Sequence, residues 1–352
     1  MVSQPLARRP LLGFLAAGGV ALAGFGGFLY AEGRVDPARL TARKFIDLFE
    51  SLGGRFAGYR RNHAKALVVA GWFESNGAGS EVASASVFQK GRHALLGRFS
   101  VGGQNPHAKD ALGQGRGLGL IFSLPDGEQW RSAMVNAPVF PAPTPEAFYE
   151  FTIANAPVPA TGKPDPGKRA AYLNAHPSSA AALKIIQSAS PAPTFATSTF
   201  HSVHTFIAVD GSGARTPVRW QLVPQSDERA APDHNGPDWL FRDLAKTLRQ
   251  GPVRFSLVLL VGVAGQDPTN DPTQPWPADR RRIDAGTVVL GPASLAQQER
   301  ARDQNFDPTV LPAGIEPSDD PILAARAAIY AESYRRRSAE TPAPVQKFDE
   351  EA

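Results

Sequence analysis

The chain has 352 residues, 42% hydrophobic and 20% charged, with 33 Gly, 32 Pro and a net charge of +4. This is the composition of a loop-rich folded protein, and no basic stretch interleaved with aromatics marks a nucleic-acid surface. There is no Cys, which excludes disulfides, iron–sulfur clusters, thiolate-held metals and covalent c-type haem, and Met134 is the sole methionine besides Met1. Tyr and His remain as the plausible holders of a metal cofactor.

Pro10 to Ala31 carry no charge and follow Arg8-Arg9. About 20 apolar residues suffice to cross a bilayer, and flanking arginines keep their end in the cytoplasm. Residues 1–31 are therefore expected to be a signal peptide or an uncleaved membrane anchor. The paired arginines also resemble a twin-arginine signal. The remainder is then expected to be periplasmic, free or anchored to the inner membrane, with one domain over 32–345 and a flexible tail over 346–352.

Asp36-Pro37, then Leu40, Phe45, Leu48, Phe49 and Leu52, then Gly53-Gly54, spell a capped amphipathic helix. Strand-like runs follow at 65–73, 93–101, 117–124 and 129–135, the last two joined by the turn sequence Pro125-Asp126-Gly127-Glu128. Three helices open at Thr144-Pro145, Asp165-Pro166 and Ser178-Ser179 among Pro-rich loops. Strands resume at 203–209 and 217–223, linked by residues 210–213. A helix over 238–250 precedes strands at 253–263 and 286–290, and Asp320-Pro321 begins a last helix over 320–337. Eight strands with short connections predict an α+β fold, an antiparallel barrel with helical insertions. Closure removes exposed edges and can hold one ligand.

Two distant segments carry chemistry: Tyr59 to Ala66, containing Arg60 and His63 directly before a strand, and Arg326 to Tyr330 on the last helix. Arg326 and Tyr330 are four apart and share a helix face, an arrangement also common as an ordinary surface contact. A guanidinium beside a phenol favours the phenolate, and phenolate is an established ligand of haem iron.

In chain order, the sequence has Arg60-x-x-His63-Ala64-Lys65, Gly71-x-Phe73-Glu74, Gly97-Arg98-Phe99-Ser100 and Gln129-Trp130. These are followed by Asn136-Ala137-Pro138-Val139-Phe140, Phe200-x-x-x-His204-Thr205, Phe306-Asp307-Pro308, residues 312–318 and Arg326-x-x-x-Tyr330. Across residues 55–337 this pattern resembles the monofunctional haem catalases, and most of all their shorter relatives, the catalase-related peroxidases. The resemblance implies a catalase-type barrel with a haem b pocket at the barrel. His63 matches the distal histidine that moves a proton between peroxide oxygens. Ser100 matches the hydroxyl that orients it, though a solvent-facing strand serine would read alike. Tyr330 matches the proximal iron ligand and Arg326 the arginine that keeps it ionised. Arg60, Arg98 and Arg337 match arginines that pair with haem propionates, although Arg337 could equally offset a helix dipole. Phe140 matches an apolar residue lining the distal side.

Two departures stand out. Where full-length catalases have Gly-Asn-aromatic, this chain has Gly127-Glu128-Gln129-Trp130, so Gln129 is the nearest carboxamide candidate. Its longer, shifted side chain is expected to weaken peroxide disproportionation more than peroxide reduction. The chain also stops soon after the tyrosine helix, so the helical domain of larger catalases is missing and a monomer or small homo-oligomer is expected. The implied activity is peroxide reduction with a small organic electron donor. Genuine catalase, hydroperoxide isomerase and a non-catalytic haem carrier are the alternatives. His93, His107, His176 and His234 are expected in solvent-facing loops, and His201 and His204 on opposite faces of one strand. No acidic metal loop, nucleophile elbow or phosphate loop is present.

Overall fold

In the computed structural model of this protein, residues 39–226 and 232–348 are described. The apolar segment over 1–31 and the expected cap Asp36-Pro37 lie outside them. Among the described residues no helix is long and apolar enough to cross a membrane.

Strands β1 (Ala66–Ser75), β2 (Gly91–Val101), β3 (Arg116–Ser123) and β4 (Gln129–Val135) form an antiparallel meander. After the helical insertion come β5 (Phe200–His201), β6 (Phe206–Val209), β7 (Arg215–Pro224), β8 (Val253–Val261) and β9 (Arg282–Pro292). Val135 opposite His201 joins β4 to β5, β5 pairs with β7, β7 with β8, β8 with β9, and β9 returns to β1. Eight strands therefore close a barrel, with β6 and a short β10 (Ile315–Pro317) extending the sheet beyond β7.

The strand expected over 203–209 is broken in two. The Val203 backbone is left-handed, with φ 53°, and the His204 amide donates to the Ser202 carbonyl at 2.6 Å. That kink lets Phe200–His201 complete the barrel while Phe206–Val209 pairs with the other half of β7. The polar run Ser202, His204 and Thr205, all buried, is the local signature of the break.

Alternation along the strands decides where a ligand can sit. Phe99, Leu118, Leu120, Phe122, Trp130 and Met134 point inward and are buried. Trp130 stacks on Phe122 at 4.5 Å and meets Trp220 edge-on at 4.9 Å, while Trp220 Nε1 donates to Ser132 Oγ. The barrel interior is thus filled by aromatic rings. The opposite parity, Arg98, Ser100, Gly117, Gly119, Ala133 and Val135, faces outward, so the pocket lies against the outer wall of the barrel and not inside the closed sheet.

Helix α1 (Ala42–Gly53) is capped by Thr41, whose hydroxyl accepts from the Lys44 amide. Helices α2 (Pro145–Ala154), α3 (Pro166–Ala175) and α4 (Pro177–Ser188) form the insertion, each with proline in its first turn. Helix α5 (Trp239–Gln250) precedes β8. Helix α6 (Leu295–Asp303), absent from the sequence expectation, opens on a capping box between Ser294 and Gln297. Helix α7 (Pro321–Ser338) starts at Asp320, as expected. Phe45, Ile46 and Phe49 of α1 pack with Phe148, Tyr149 and Ile329 as a second core. Each such buried side chain contributes about 1.5–3 kcal/mol, and together they hold α7 over the barrel wall. The tail expected to be flexible from 346 is docked as far as Phe348. Gln346 Oε1 accepts from the Ala66 amide, and Phe348 stacks on Phe241 at 4.7 Å.

Candidate active site

A cavity of about 210 Å³ opens between the outward face of β2, β3 and β4 and the helices α1, α2 and α7. It brings together His63, Ser100, Arg60, Arg98, Phe140, Arg326 and Tyr330, residues up to 270 positions apart in the chain. Glycine keeps the strand wall low. A Cβ on Gly117 would stand 3.0 Å from both His63 Cε1 and Ser100 Oγ, and one on Gly119 would stand 2.8 Å from the Phe306 ring.

His63 is one of two non-glycine residues with positive φ among the described residues, the other being Val203, and both line the cavity. Such a conformation costs about 1–3 kcal/mol and persists where its surroundings enforce it. Asn62 Oδ1 accepts from the His63 and Gly103 amides, and the Ala64 amide donates to Gly103. The ring is fixed by Ser100, whose Oγ is 3.0 Å from His63 Nδ1 and donates to the Gly117 carbonyl. With the hydroxyl hydrogen so placed, Nδ1–H is the donor to Ser100, and Nε2 keeps its lone pair for proton transfer. Ser100 is therefore a buried partner of the histidine and not a solvent-facing strand serine.

On the other side, α7 places Arg326 so that its guanidinium donates to Tyr330 Oη at 2.9 Å. The first turn of α7 is anchored by Asp320. Its Oδ1 accepts from the Ile322 and Leu323 amides, while its Oδ2 lies 2.7 Å from Nδ1 of the fully buried His204. Burial, and then the Arg326 charge, push the His204 imidazole down, while Asp320 opposes them. This anchor of the tyrosine helix was not legible beyond the cap itself, because His204 lies 116 residues away.

Arg60, Arg98 and Arg337 converge beside the cavity: the first two line it, and Arg337 joins them in an adjoining recess without lining the cavity itself. Each is held down to about 9 by burial first and then by a neighbouring guanidinium. Among the described residues none of the three makes an ion pair. Their hydrogen bonds go to backbone carbonyls of Ala64, Ala301, Arg302 and Gln304, and Arg337 Nε has no partner. Three clustered cations with spare donors suit a ligand carrying two carboxylates. A flat glycine wall, an imidazole, an anion-capable phenol oxygen and this dicarboxylate seat fit a haem. Arg337 is buried at 5% exposure, so it is more than a dipole-compensating surface charge. Helix α6 supplies two of these accepting carbonyls, Ala301 and Arg302, and Gln304 follows it directly, a contribution signalled only by its capping box.

Phe140 lines the cavity with its ring 4.9 Å from Phe148 and 5.9 Å from His204. Gln129 does not stand where a carboxamide was expected. It begins β4 opposite Ser123, its Oε1 accepts from Arg131, and it does not line the cavity. The β4 stretch that does is 133–135, with Ala133 and Val135 facing the cavity and the Met134 side chain turned into the barrel core between them. His93 is also not a loop residue. It is buried on β2 against Phe73, its ring nitrogens without hydrogen-bond partners. His107 and His234 are exposed, as expected.

The His63 imidazole is pushed down to about 4, by burial first and then by Arg98, Arg326 and Arg60. A folded-state value below the ordinary 6.5 means that the neutral ring predominates down to near pH 4. The unfolded chain binds the extra proton between these limits, so this group's contribution to stability is complete above 6.5 and declines as pH falls towards 4. Peroxide consumption, followed by stopped flow, is expected to keep its rate to about pH 5 and lose it towards about pH 4. An acid limb centred at 6 or above contradicts this placement of His63.

The Catalase family model matches residues 37–343. A catalase-related peroxidase of Synechococcus elongatus is 33% identical over 85% of this chain and 89% of its own length. One from Mycolicibacterium paratuberculosis is 32% identical, over 85% and 95%. Among solved structures, catalase A from Saccharomyces cerevisiae superposes with a TM-score of 0.71 at 21% identity. It covers 83% of this chain and 64% of its own, a likeness of fold.

Proposed function

Because the chain belongs to the catalase family, we propose that it is an exported peroxidase with haem b that reduces hydrogen peroxide or organic hydroperoxides using an organic donor. The observation that carries this reading is the convergence of His63 and Tyr330 on one cavity beside a three-arginine seat. Tyr330 Oη would hold the iron, and Arg60, Arg98 and Arg337 the two propionates. Bound haem supplies a redox-active iron that takes up the two oxidising equivalents of the O–O bond.

The protein's own groups move the proton. His63 Nε2 accepts it from the peroxide oxygen that approaches the site and returns it to the oxygen that departs as water or alcohol. Ser100 fixes the ring for both transfers, and its bond to Nδ1–H supports the imidazolium that forms between them. Arg326 stabilises negative charge on Tyr330 Oη. The His204–Asp320 pair holds the first turn of α7, from which Arg326 and Tyr330 project. Phe45, Phe49, Phe140 and Phe148 keep water from the cavity, which strengthens each of these charges.

Reduction with a donor is favoured over disproportionation by the β4 wall. Disproportionation, as the family resemblance implies, uses a carboxamide to place a second peroxide, whereas β4 presents Ala133 and Val135 there and Gln129 lies elsewhere. A single chain or small homo-oligomer, free in the periplasm or tethered by residues 1–31, completes the proposal. The test is an oxygen electrode run beside a phenol-oxidation assay. Oxidation of the phenol should consume most of the peroxide when the donor is present. Oxygen released at half the peroxide consumed, unaffected by the donor, would establish a catalase instead.

A further inference from the structure

Helix α7 carries a second tyrosine one turn beyond Tyr330. Tyr334 lines the same cavity and is 37% exposed, and Ala331, Arg335 and Ser338 around it are exposed as well. Residues four apart on a helix have Cβ atoms about 5–6 Å apart on one face, so the two phenols belong to neighbouring turns. The Arg337 guanidinium lies 4.6 Å from the Tyr334 ring centroid. The other readily oxidised side chains of the core are sealed: Trp130 is 0% exposed, Trp220 1%, Met134 3% and Trp239 5%. Among the described residues that line the cavity, Tyr334 alone is both oxidisable and exposed.

We propose that Tyr334 is the electron-entry residue of this enzyme, oxidised from the cavity side and re-reduced at the surface by donors too large or too strongly hydrated to enter. The inference rests on the haem-peroxidase reading and names the donor class for it: one-electron reductants that act at the surface. In each passage the phenol passes one electron inward and its O–H proton to surface water, leaving a phenoxyl radical. The radical then takes one electron from the donor and one proton from water. Two passages deliver two electrons, and with two protons drawn from solvent water these turn one hydroperoxide into one alcohol and one water. The Arg337 charge beside the ring opposes electron loss, which makes the phenoxyl a strong oxidant that the next donor quenches. Entry past Phe45, Phe49, Phe140 and Phe148 would cost a hydrated polyanion its hydration.

The test uses the haem-loaded enzyme with hexacyanoferrate(II), confined to solvent, and guaiacol, a phenol small enough to enter. In Tyr334→Phe the ratio of kcat/KM for hexacyanoferrate(II) to that for guaiacol should fall by about tenfold or more, and Tyr334→Trp should restore most of it. Freeze-quench electron paramagnetic resonance of the wild type, given peroxide without donor, should show a phenoxyl signal that Tyr334→Phe lacks. An unchanged ratio, an equal fall for both donors, or a radical that persists in Tyr334→Phe overturns the relay alone. Failure of the wild type to oxidise guaiacol removes the haem-peroxidase reading, and the relay with it.

Discussion

A His63→Ala protein should bind its haem normally and react with peroxide about 10²–10⁴ times more slowly, the usual contribution of a positioned acid–base group. The size of the effect follows from how much of the local structure serves this one ring. Its backbone is held in the left-handed region, its Nδ1 is fixed by Ser100, and Gly117 clears the space it occupies. Removing the imidazole takes away a base that is neutral across the working pH range and leaves no side chain in its place. The fold should survive, because His63 sits at the cavity edge and the barrel core is packed by other residues. Stopped-flow measurement of the reaction with peroxide checks the rate, and the haem content of the same sample checks binding. Partial rescue by added imidazole is expected. A variant reacting within threefold of wild type would remove His63 from the proton-transfer role.

Replacing Tyr330 with Phe should weaken haem retention by about 100-fold or more, the upper end of what the loss of a partner one shell further out costs a metal site. The substitution keeps the ring and deletes one oxygen, so packing of α7 against α1 through Ile329 and Phe45 is retained. The deleted oxygen is the acceptor of the Arg326 guanidinium. Haem transfer to a scavenging apoprotein measures retention, and a thermal melt of the cofactor-free variant separates this effect from misfolding. Wild-type retention in Tyr330→Phe would mean that another group holds the iron.

Much of this was legible because the signals are local. Asp320-Pro321 marks the start of α7, the Arg326–Tyr330 spacing forces one helix face, and alternation along β2 and β3 separates inward phenylalanine and leucine from outward Arg98, Ser100, Gly117 and Gly119. Local patterns could not show which side of the closed sheet carries the cavity. That depends on Trp130 and Trp220, from strands 90 residues apart, meeting inside the barrel and filling it. The two-residue strand β5 is too short for any periodicity, and it exists because Val203 kinks the chain. Gln129 was misplaced by reading its residue type, whereas its position at the start of β4 carries it to the far end of the strand from the cavity. Burial of His93 and of Arg337 was likewise invisible, since each is set by what packs over it and not by its neighbours in the chain.

The most direct measurement is the absorption spectrum of the purified protein loaded with one equivalent of haem. Expected is a five-coordinate high-spin ferric haem bound through a phenolate, with its charge-transfer bands abolished in Tyr330→Phe. A six-coordinate, histidine-ligated spectrum, or bands that survive that substitution, would contradict it.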